Sequence, residues 1–162
     1  MVNLIIIITA MFSQMTVTSP AFKEGQTIPE QFTCEGKNIS PALKISGYPE
    51  KTVTLALIMH DPDAPMDGGF THWVAFNIDP TSMIEENTSP GTAGSNSSNK
   101  KGYTGPCPPT GTHHYKFKVY ALDAKLDLKK GATKAELEKA MEGHILSQAM
   151  ITGLYKKTKT KG

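Results

Sequence analysis

The chain has 162 residues, and its 17 lysines nearly balance 15 acidic residues, so the formal net charge is +2. This length is typical of a single domain with one hydrophobic core. The sequence contains no arginine, and it therefore lacks the bidentate guanidinium group that reads guanine or clamps a phosphodiester. We expect no nucleic-acid partner.

The N-terminal segment, MVNLIIIITAMFSQ, has an apolar core from Leu4 to Phe12. This core is far shorter than the ~20 residues that a membrane-spanning helix needs, so we expect no stable membrane span. Its length suits the hydrophobic region of a secretory signal. We predict that residues 1–14 are a signal peptide or a disordered N-terminus, and that the protein is periplasmic or secreted. The alternatives are an isoleucine-rich edge strand, or translation from Met15 to give a cytoplasmic protein.

The two cysteines, Cys34 and Cys107, are too few for a disulfide framework, although one bridge can form if the protein is exported. Lysines gather at the C-terminus, and we interpret residues 158–162 as a frayed, solubilising tail. We find no internal repeat and no interdomain linker between the two ends. Residues 15–157 are therefore predicted to form one domain.

Short β-type runs dominate residues 16–122, separated by clusters of glycine, proline, asparagine and serine. The strongest runs cover residues 53–60, 72–78 and 115–122. The last of them alternates apolar or aromatic residues with lysine, which predicts one solvent-exposed face. Strands without intervening helices favour antiparallel sheets, packed as a sandwich or a barrel, over βαβ units. The predicted fold class is therefore mainly β.

Two segments differ from this pattern. Residues 87–109 are polar and rich in glycine and proline, so we predict a long surface loop, and such loops are usually functional or disordered. Near the C-terminus, Thr133 and Glu136 match a capping box and predict the start of a helix. The apolar positions that would share its buried face are Leu137, Ala140, Met141, Ile145 and Ala149, with Met141 and Met150 as core-filling residues.

Unusual polar side chains gather where the predicted strands begin or end. They occur in HDPDAP (60–65), THW (71–73), GPCPP (105–109) and THHY (112–115). Each segment has a local structural explanation, such as a turn that starts at Asp61 before Pro62. Together, however, polar side chains on rigid strand ends, beside prolines that restrict the backbone, are typical of a preorganised binding site.

These side chains allow three interpretations. A zinc or iron site could use the histidines and aspartates, but no spacing such as H-E-x-x-H occurs. Acid–base catalysis could pair His72 or His113 with Asp61 or Asp63, but no nucleophile has an activating context, and Cys107 stands between prolines. A small anion pocket would use every one of these groups, with imidazole N–H groups, a tyrosine hydroxyl and loop amides around the anion.

Four longer motifs occur in order along the chain: CEGKNISPAL, DPDAP followed by GGFTHWVAFNI, GYTGPCPPTGTHHYKFKVYAL and ITGLY. The chain resembles in these motifs the phosphatidylethanolamine-binding protein family, specifically its bacterial and archaeal Raf-kinase-inhibitor-like branch. The resemblance covers nearly everything from Val17 to Tyr155. It implies an antiparallel β-sandwich with a few peripheral helices, and a small surface cavity that accepts phosphate-like or acetate-like anions.

The resemblance also implies which residues bind the ligand. They are Asp61, Asp63, Pro65, His72, Trp73, Gly105, Pro106, Pro108, His113 and Tyr115. The chain departs from the family at His114, where an arginine is common, so a guanidinium partner is lost. Because Cys34 and Cys107 both lie in motif loops, we also predict that they are close in space, as a disulfide would require.

We therefore predict a non-catalytic binding protein that holds a small anionic or phosphorylated head group, with no cofactor and no metal. The alternative is a protein-interaction module, either a serine protease inhibitor or a kinase-pathway regulator, acting through the exposed loop at residues 87–104. A hydrolase is the third possibility. The resemblance implies such partners for some family members. A similar cavity does not by itself show that this chain has the same partners.

Overall fold

A computed structural model describes residues 14–158 of the chain. Its strands are β1 (Thr16–Thr18), β2 (Leu43–Ser46), β3 (Thr54–Asp61), β4 (Phe70–Ile78), β5 (Met83–Ile84), β6 (Thr92–Ala93), β7 (Thr112–Leu122) and β8 (Ile145–Lys156), and its α-helix is α1 (Lys134–Met141). A short 3-10 turn covers Glu30–Phe32. All but the last residue of the predicted signal peptide, and residues 159–162 of the predicted tail, lie outside the described residues.

The strands form two antiparallel sheets that pack face to face. The smaller sheet has the order β1-β2-β5, and the larger has the order β6-β4-β3-β7-β8. Apolar side chains of both sheets meet in one core, for example Ile45 of β2 and Leu57 of β3, which are both buried. The antiparallel β-sandwich expected from the sequence is therefore confirmed.

The three strongest predicted strands correspond to β3, β4 and β7, with small differences at their ends. Along β7 the side chains alternate as expected, since Tyr115 and Phe117 are buried and His114 and Lys118 are exposed. The alternation stops at Tyr120, which is buried in a second core beneath α1. The exposed face of β7 therefore covers only the first part of the strand, next to the predicted site.

The helix α1 begins as predicted but is shorter. Thr133 and Glu136 form a complete capping box, in which each side chain accepts a hydrogen bond from the other residue's backbone N–H. Shortly after α1 ends, Gly143 adopts a φ of 78°, which glycine tolerates without steric cost. No helix within residues 14–158 is long and apolar enough to span a membrane.

The prediction that Ile145 and Ala149 continue this helix is wrong, because both belong to β8. The apolar residues after Gly143 happen to continue the helical spacing. In the structure they instead pair with β7, where backbone hydrogen bonds extend along nearly the whole strand. Met150 is 42% exposed, so the prediction that it fills the core is also wrong, whereas Met141 is buried as expected.

Residues 87–109 contain more regular structure than predicted. The short strand β6 pairs with β4, and Ser95 forms an isolated bridge with Lys101. Asn96 is buried, and its side-chain oxygen accepts hydrogen bonds from the backbone N–H groups of Ser98 and Lys100. Much of this segment is therefore fixed against the edge of the larger sheet.

Candidate functional site

A cavity of about 300 Å³ opens where the end of β3 meets the beginnings of β4 and β7. These three strand ends coincide because β3 lies between β4 and β7 and pairs antiparallel with both. The cavity is lined by Asp61, Ala64, Pro65, Met66, Phe70, His72, Thr104, Gly105, Cys107, Pro108, Pro109, His113 and Tyr115. The four polar segments identified in the sequence therefore converge on one site.

Asp61, the last residue of β3, is 2% exposed and lies on the floor of this cavity. Its Oδ1 accepts a hydrogen bond from the backbone N–H of Asp63 at 2.8 Å, and its Oδ2 accepts one from Nδ1 of His113 at 2.7 Å. The loop that follows returns close to the strand at Gly69, where φ is 74° and a Cβ atom would collide with the carbonyl oxygen of Asp61. Asp61 is thus both a cavity group and the anchor of the turn that follows it.

A β-bulge in β4 directs His72 into the cavity. Met59 pairs with Trp73 and His60 pairs with Thr71, so His72 is the extra residue between two regular pairs. Regular alternation would place His72 and Trp73 on opposite faces, whereas a bulge re-aims a side chain. Accordingly, His72 lines the cavity while its neighbour Trp73 is buried in the core between the sheets.

The ring of His72 is held in one tautomer. Its Nδ1–H donates a hydrogen bond to the carbonyl oxygen of Thr104 at 2.8 Å. Burial lowers the pKa of His72, although the bond to Thr104 and the charge of Asp61 act in the opposite direction. The ring is therefore neutral at neutral pH, and its Nε2 has a lone pair that accepts a hydrogen bond. Nε2 of His72 is thus an acceptor, and imidazole N–H groups around an anion stay a prediction.

The alternation of β7 sends His113 and His114 to opposite faces of the sheet. His113 is 6% exposed, and its Nδ1 bonds the Asp61 carboxylate. His114 is exposed, and both its backbone N–H and its Nδ1 bond Oδ2 of Asp63, at 2.8 Å and 2.7 Å. Two adjacent histidines thus pair with two aspartates that are two residues apart, one pair inside the cavity and one on the surface.

The hydroxyl group of Tyr115 is the least satisfied polar group of the cavity. Tyr115 is completely buried. Its hydroxyl forms no hydrogen bond of ordinary distance and angle with any residue among 14–158. Burial raises the pKa of Tyr115, and the carboxylates of Asp61 and Asp63 raise it further, while the nearby backbone of Cys107 opposes the rise. The hydroxyl therefore keeps its proton and can donate a hydrogen bond to a ligand.

One wall of the cavity is formed by residues 104–109 and is fastened to the segment around Cys34. Cys34 and Cys107 form a disulfide, with their Cα atoms 5.4 Å apart. The N–H of Gly105 donates to Oδ1 of Asn38 at 2.7 Å, and the N–H of Cys34 donates to the carbonyl oxygen of Pro106 at 3.1 Å. Gly105 must be glycine here, because a Cβ atom would collide with the carbonyl oxygen of Phe32.

Pro65 lines the cavity as predicted, whereas three other apolar lining residues outside the 104–109 wall were not predicted as site residues. Ala64 and Met66 come from the loop after β3, and Phe70 begins β4. Met66 is 50% exposed, and the ring of Phe70 packs 4.6 Å from that of His72 between centroids. The only sequence signal for these residues is their position between the motif residues. The cavity therefore joins a polar floor to apolar surroundings.

Three of the predicted site residues do not line the cavity. Asp63 faces the surface and bonds His114. Trp73 belongs to the core, where its ring packs edge-on against that of Tyr103. Pro106 is buried behind the wall, with its carbonyl oxygen bonded to Cys34. Among residues 14–158, no group of three or more His, Cys, Asp or Glu side chains is arranged to hold a metal ion.

The fold is an antiparallel β-sandwich, and the cavity at its strand ends has a polar floor, as expected of a small ligand-binding domain. Comparison of the sequence with known protein families identifies the family. The family profile described as "Phosphatidylethanolamine-binding protein" matches residues 18–156. The chain therefore belongs to the phosphatidylethanolamine-binding protein family, as its motifs indicated.

Similar proteins come from archaea and bacteria. A UPF0098 protein of Pyrococcus horikoshii is 47% identical over 150 residues, which cover 86% of this chain and 75% of the relative. A UPF0098 protein of Methanothermobacter thermautotrophicus is 46% identical over 151 residues, covering 88% of this chain and 99% of the relative.

Two solved structures have the same fold. A crystal structure from Chlamydia trachomatis, titled a putative phosphatidylethanolamine-binding protein homologue, has a TM-score of 0.87 at 40% identity, with 90% of this chain and 99% of that chain covered. Escherichia coli YbcL, titled a new member of the mammalian family, has a TM-score of 0.83 at 31% identity, with the same coverage.

Proposed function

We propose that this protein is a non-catalytic binding protein that holds a small anionic or phosphorylated group in the cavity floored by Asp61, His72, His113 and Tyr115. The observation that carries this proposal is the buried Tyr115 hydroxyl, which has no regular hydrogen-bond partner within residues 14–158. A buried hydroxyl without a hydrogen-bond partner lowers the stability of the folded protein. A ligand oxygen that accepts a hydrogen bond from this hydroxyl would explain why it is there.

The Asp61–His113 pair supplies the polarity that an anion needs. Because Asp61 takes the Nδ1–H of His113, the opposite edge of that ring, Nε2, is left for a ligand. When His113 is protonated, this edge is an N–H donor carrying positive charge. Asp61 then acts as the counter-charge behind the imidazole, which is the role that keeps a carboxylate compatible with a bound anion.

The size and lining of the cavity favour a small group with an apolar neighbour. A volume of about 300 Å³ is at the lower end of typical ligand sites. The surrounding Met66, Phe70 and Pro109 side chains offer contact to the short carbon chain of a phosphorylated or carboxylated compound. A small acid or phosphorylated head group matches both features.

The lining residues support binding without chemistry. Cys107 is held in the disulfide and is not a nucleophilic thiol. Thr104 is the only hydroxyl of the Ser/Thr type among the lining residues within 14–158, and its Oγ1 accepts a hydrogen bond from Asn96 rather than facing a base. A nucleophile needs a neighbouring general base, which Thr104 lacks in these contacts.

Calorimetry with inorganic phosphate tests the proposal. We expect measurable binding to the wild type and at least tenfold weaker binding to Tyr115→Phe, because the variant loses only the hydroxyl donor. His114→Ala is the matched control, since His114 faces the surface. Unchanged affinity in both Tyr115→Phe and a His72→Ala, His113→Ala double variant would refute the proposed site. Turnover of a substrate that depends on His113 would replace binding with hydrolysis.

The protein-interaction alternative stays a prediction, and the structure makes one test of it unsuitable. Deleting residues 87–104 would be a direct test if the segment bound a protein partner without contributing to the cavity. The N–H of Gly94 donates to the carbonyl oxygen of Val74 in β4, however, and Thr104, the last residue of that segment, bonds His72 through its backbone N–H and its carbonyl oxygen. Such a deletion would disturb the cavity as well. Point substitutions at exposed residues such as Ser98 test a protease or kinase partner more cleanly.

We also propose that the protein works in the periplasm or outside the cell. The disulfide between Cys34 and Cys107 supports this location, since such bridges persist in oxidising compartments. Cytoplasmic expression from Met15 is the alternative. Fractionation of the native host, followed by N-terminal sequencing of the recovered protein, separates the two locations.

A further inference from the structure

We propose, resting on the function above, that the cavity selects anions whose acidic group itself carries a hydrogen-bond donor, that is, an O–H. Inorganic phosphate and a phosphate monoester that retains one proton belong to this class. Sulfate and a phosphodiester have no such O–H on the anionic group, even where an alcohol part, as in a phospholipid head group, carries donors elsewhere. The acceptors around the cavity outnumber the donors that an anion could use.

Two acceptors face the ligand whatever the charge of His113, and Nε2 of a neutral His113 is a third, because Nδ1 holds the proton bonded to Asp61. The Asp61 carboxylate has two oxygens, each of which takes one hydrogen bond from the protein, and an ionised carboxylate has about four acceptor sites. His72 donates its Nδ1–H to Thr104, which leaves Nε2 as an acceptor. Burial lowers the pKa of His72 and so keeps this lone pair available at neutral pH. A fully deprotonated anion would place its own oxygens against these lone pairs.

Few donors balance these acceptors. Tyr115 and, when protonated, His113 are the side chains on the cavity floor that can donate to an anion. Three of the lining residues, Pro65, Pro108 and Pro109, have no backbone N–H. The lining residues include no lysine within the described part of the chain, and the sequence has no arginine.

The backbone N–H groups near the cavity are largely committed to the protein. The N–H of Gly105 bonds Asn38, that of Asp63 bonds Asp61, and that of Met66 bonds the carbonyl oxygen of Ala64. The loop amides that the sequence suggested as anion ligands are therefore not free at these three positions. A multiply charged oxyanion without a proton would remain under-satisfied.

The Asp61 and His72 acceptors therefore require a donor from the ligand. A site built to pair with a ligand hydroxyl rejects an analogue that lacks it, because its buried polar groups are left unpaired. A P–OH group can donate to the Asp61 carboxylate or to Nε2 of His72. The remaining phosphate oxygens then accept from Tyr115 and His113. We expect at least about tenfold discrimination for one such mismatch.

Isothermal titration at about pH 6 tests this with four ligands, because a phosphate monoester is about half protonated there. The first pair is inorganic phosphate and sulfate. The second pair is methyl phosphate, a monoester, and dimethyl phosphate, the corresponding diester, neither of which has a donor apart from P–OH. We expect the P–OH member of each pair to bind at least about tenfold more tightly. Tighter binding of methyl phosphate than of inorganic phosphate would identify a monoester as the ligand source, and the reverse would identify free phosphate.

The outcomes separate this inference from the function on which it rests. Equal affinity for phosphate and sulfate would overturn the donor requirement but leave anion binding intact. Equal affinity for monoester and diester would overturn it in favour of a phospholipid head group. If none of the four ligands binds, the proposed function fails and the inference fails with it.

Two variants locate the requirement. Asp61→Asn replaces an acceptor with an amide that can donate, so the preference for phosphate over sulfate should fall. Because Asp61 also anchors its loop, His72→Phe is the second variant, and it removes the Nε2 lone pair while keeping an aromatic ring. His114→Ala should leave the ratio of affinities unchanged. An unchanged ratio in a folded Asp61→Asn or His72→Phe protein would overturn the assignment.

Discussion

The pairs Asp61–His113 and Asp63–His114 have the same two side-chain types and the same 2.7 Å separation between nitrogen and oxygen. They differ in their surroundings. The side chains of His113 and Asp61 are 8% and 4% exposed, whereas those of His114 and Asp63 are 53% and 40% exposed. The alternation of β7 alone separates them, because it turns adjacent histidines to opposite faces.

This difference determines what each pair contributes. Removing one partner of a buried pair leaves a polar group without water or a counter-charge, which costs much more than losing an exposed pair. The buried pair is also a cavity group, while the exposed pair ties the loop after β3 to the beginning of β7. The two aspartates of DPDAP therefore have distinct roles, and the following variants test that separation.

The largest effect is expected from Asp61→Ala. It removes the acceptor of both the His113 ring and the Asp63 N–H. We expect the free energy of unfolding to fall by about 3 kcal/mol or more, together with loss of ligand binding. Urea denaturation of the variant and the wild type measures the change. A loss below about 1 kcal/mol would mean that water already solvates the buried pair.

The next effect is expected from breaking the disulfide, which holds the wall beside the buried pair. The bridge closes a loop with a sequence separation of 73 residues. We expect the double variant Cys34→Ser, Cys107→Ser to lose about 2–4 kcal/mol in urea denaturation. The wild type in reducing buffer is the matched comparison. If both the stability and the phosphate affinity stay unchanged, the hydrogen bonds of Gly105 and Cys34 alone hold the wall.

A smaller, pH-dependent effect should come from His72. Its pKa is lowered by burial, so the unfolded chain, with a usual value of about 6.5, binds a proton at higher pH than the folded protein does. This contribution to stability is complete above about pH 6.5 and is lost as the pH falls through the folded pKa.

His72→Gln should therefore flatten the decline in the free energy of unfolding between about pH 6.5 and 5. Chemical denaturation at several pH values measures this decline in the variant and in the wild type. The decline should not vanish, because burial and the nearby Lys134 also lower the pKa of His60. An identical slope in the variant and the wild type would show that His72 stays solvated.

The smallest effect is expected from Asp63→Ala, which breaks the exposed pair. The side chain of His114, and then its backbone N–H, lower the pKa of Asp63. The resulting stabilisation is present above the usual pKa of about 3.9 and is lost in acid as Asp63 is protonated. We expect a loss of about 0.5 kcal/mol or less at neutral pH, reduced further by salt. A loss as large as that of Asp61→Ala would remove the distinction between the two pairs.

The sequence was a good guide where one periodicity dominated. The alternating residues of β7 and the buried run of β3 predicted strands because no other element explains their spacing. The apolar residues after Thr133 fitted a helix as well as a strand, so Ile145 was assigned to the wrong element. The strand conformation of these residues is determined by the pairing of β8 with β7. This pairing joins residues that are distant in the sequence, so local periodicity cannot predict it.

The site was predictable for its chemistry but not for its orientation. Asp61, His72, His113 and Tyr115 all line the cavity, because polar side chains beside prolines at strand ends stand out in the sequence. The outward turn of Asp63 depends on its bond with His114 and could not be deduced from composition. Met66 and Phe70 were not predictable as site residues, because an apolar residue in a loop or at the start of a strand carries no chemical signal.

The bulge at His72 also has a meaning for how such a site could arise. Without His72, Thr71 would still face His60 and Trp73 would still face Met59, so the core contacts on both sides would stay in register, and only the other irregularity of β4, opposite the stretch from Leu55 to Leu57, would remain. Since a bulge accommodates one extra residue without shifting the pairs on either side, inserting a single codon would be enough to add the cavity histidine. In evolutionary terms, the ligand site and the core can change independently at this position.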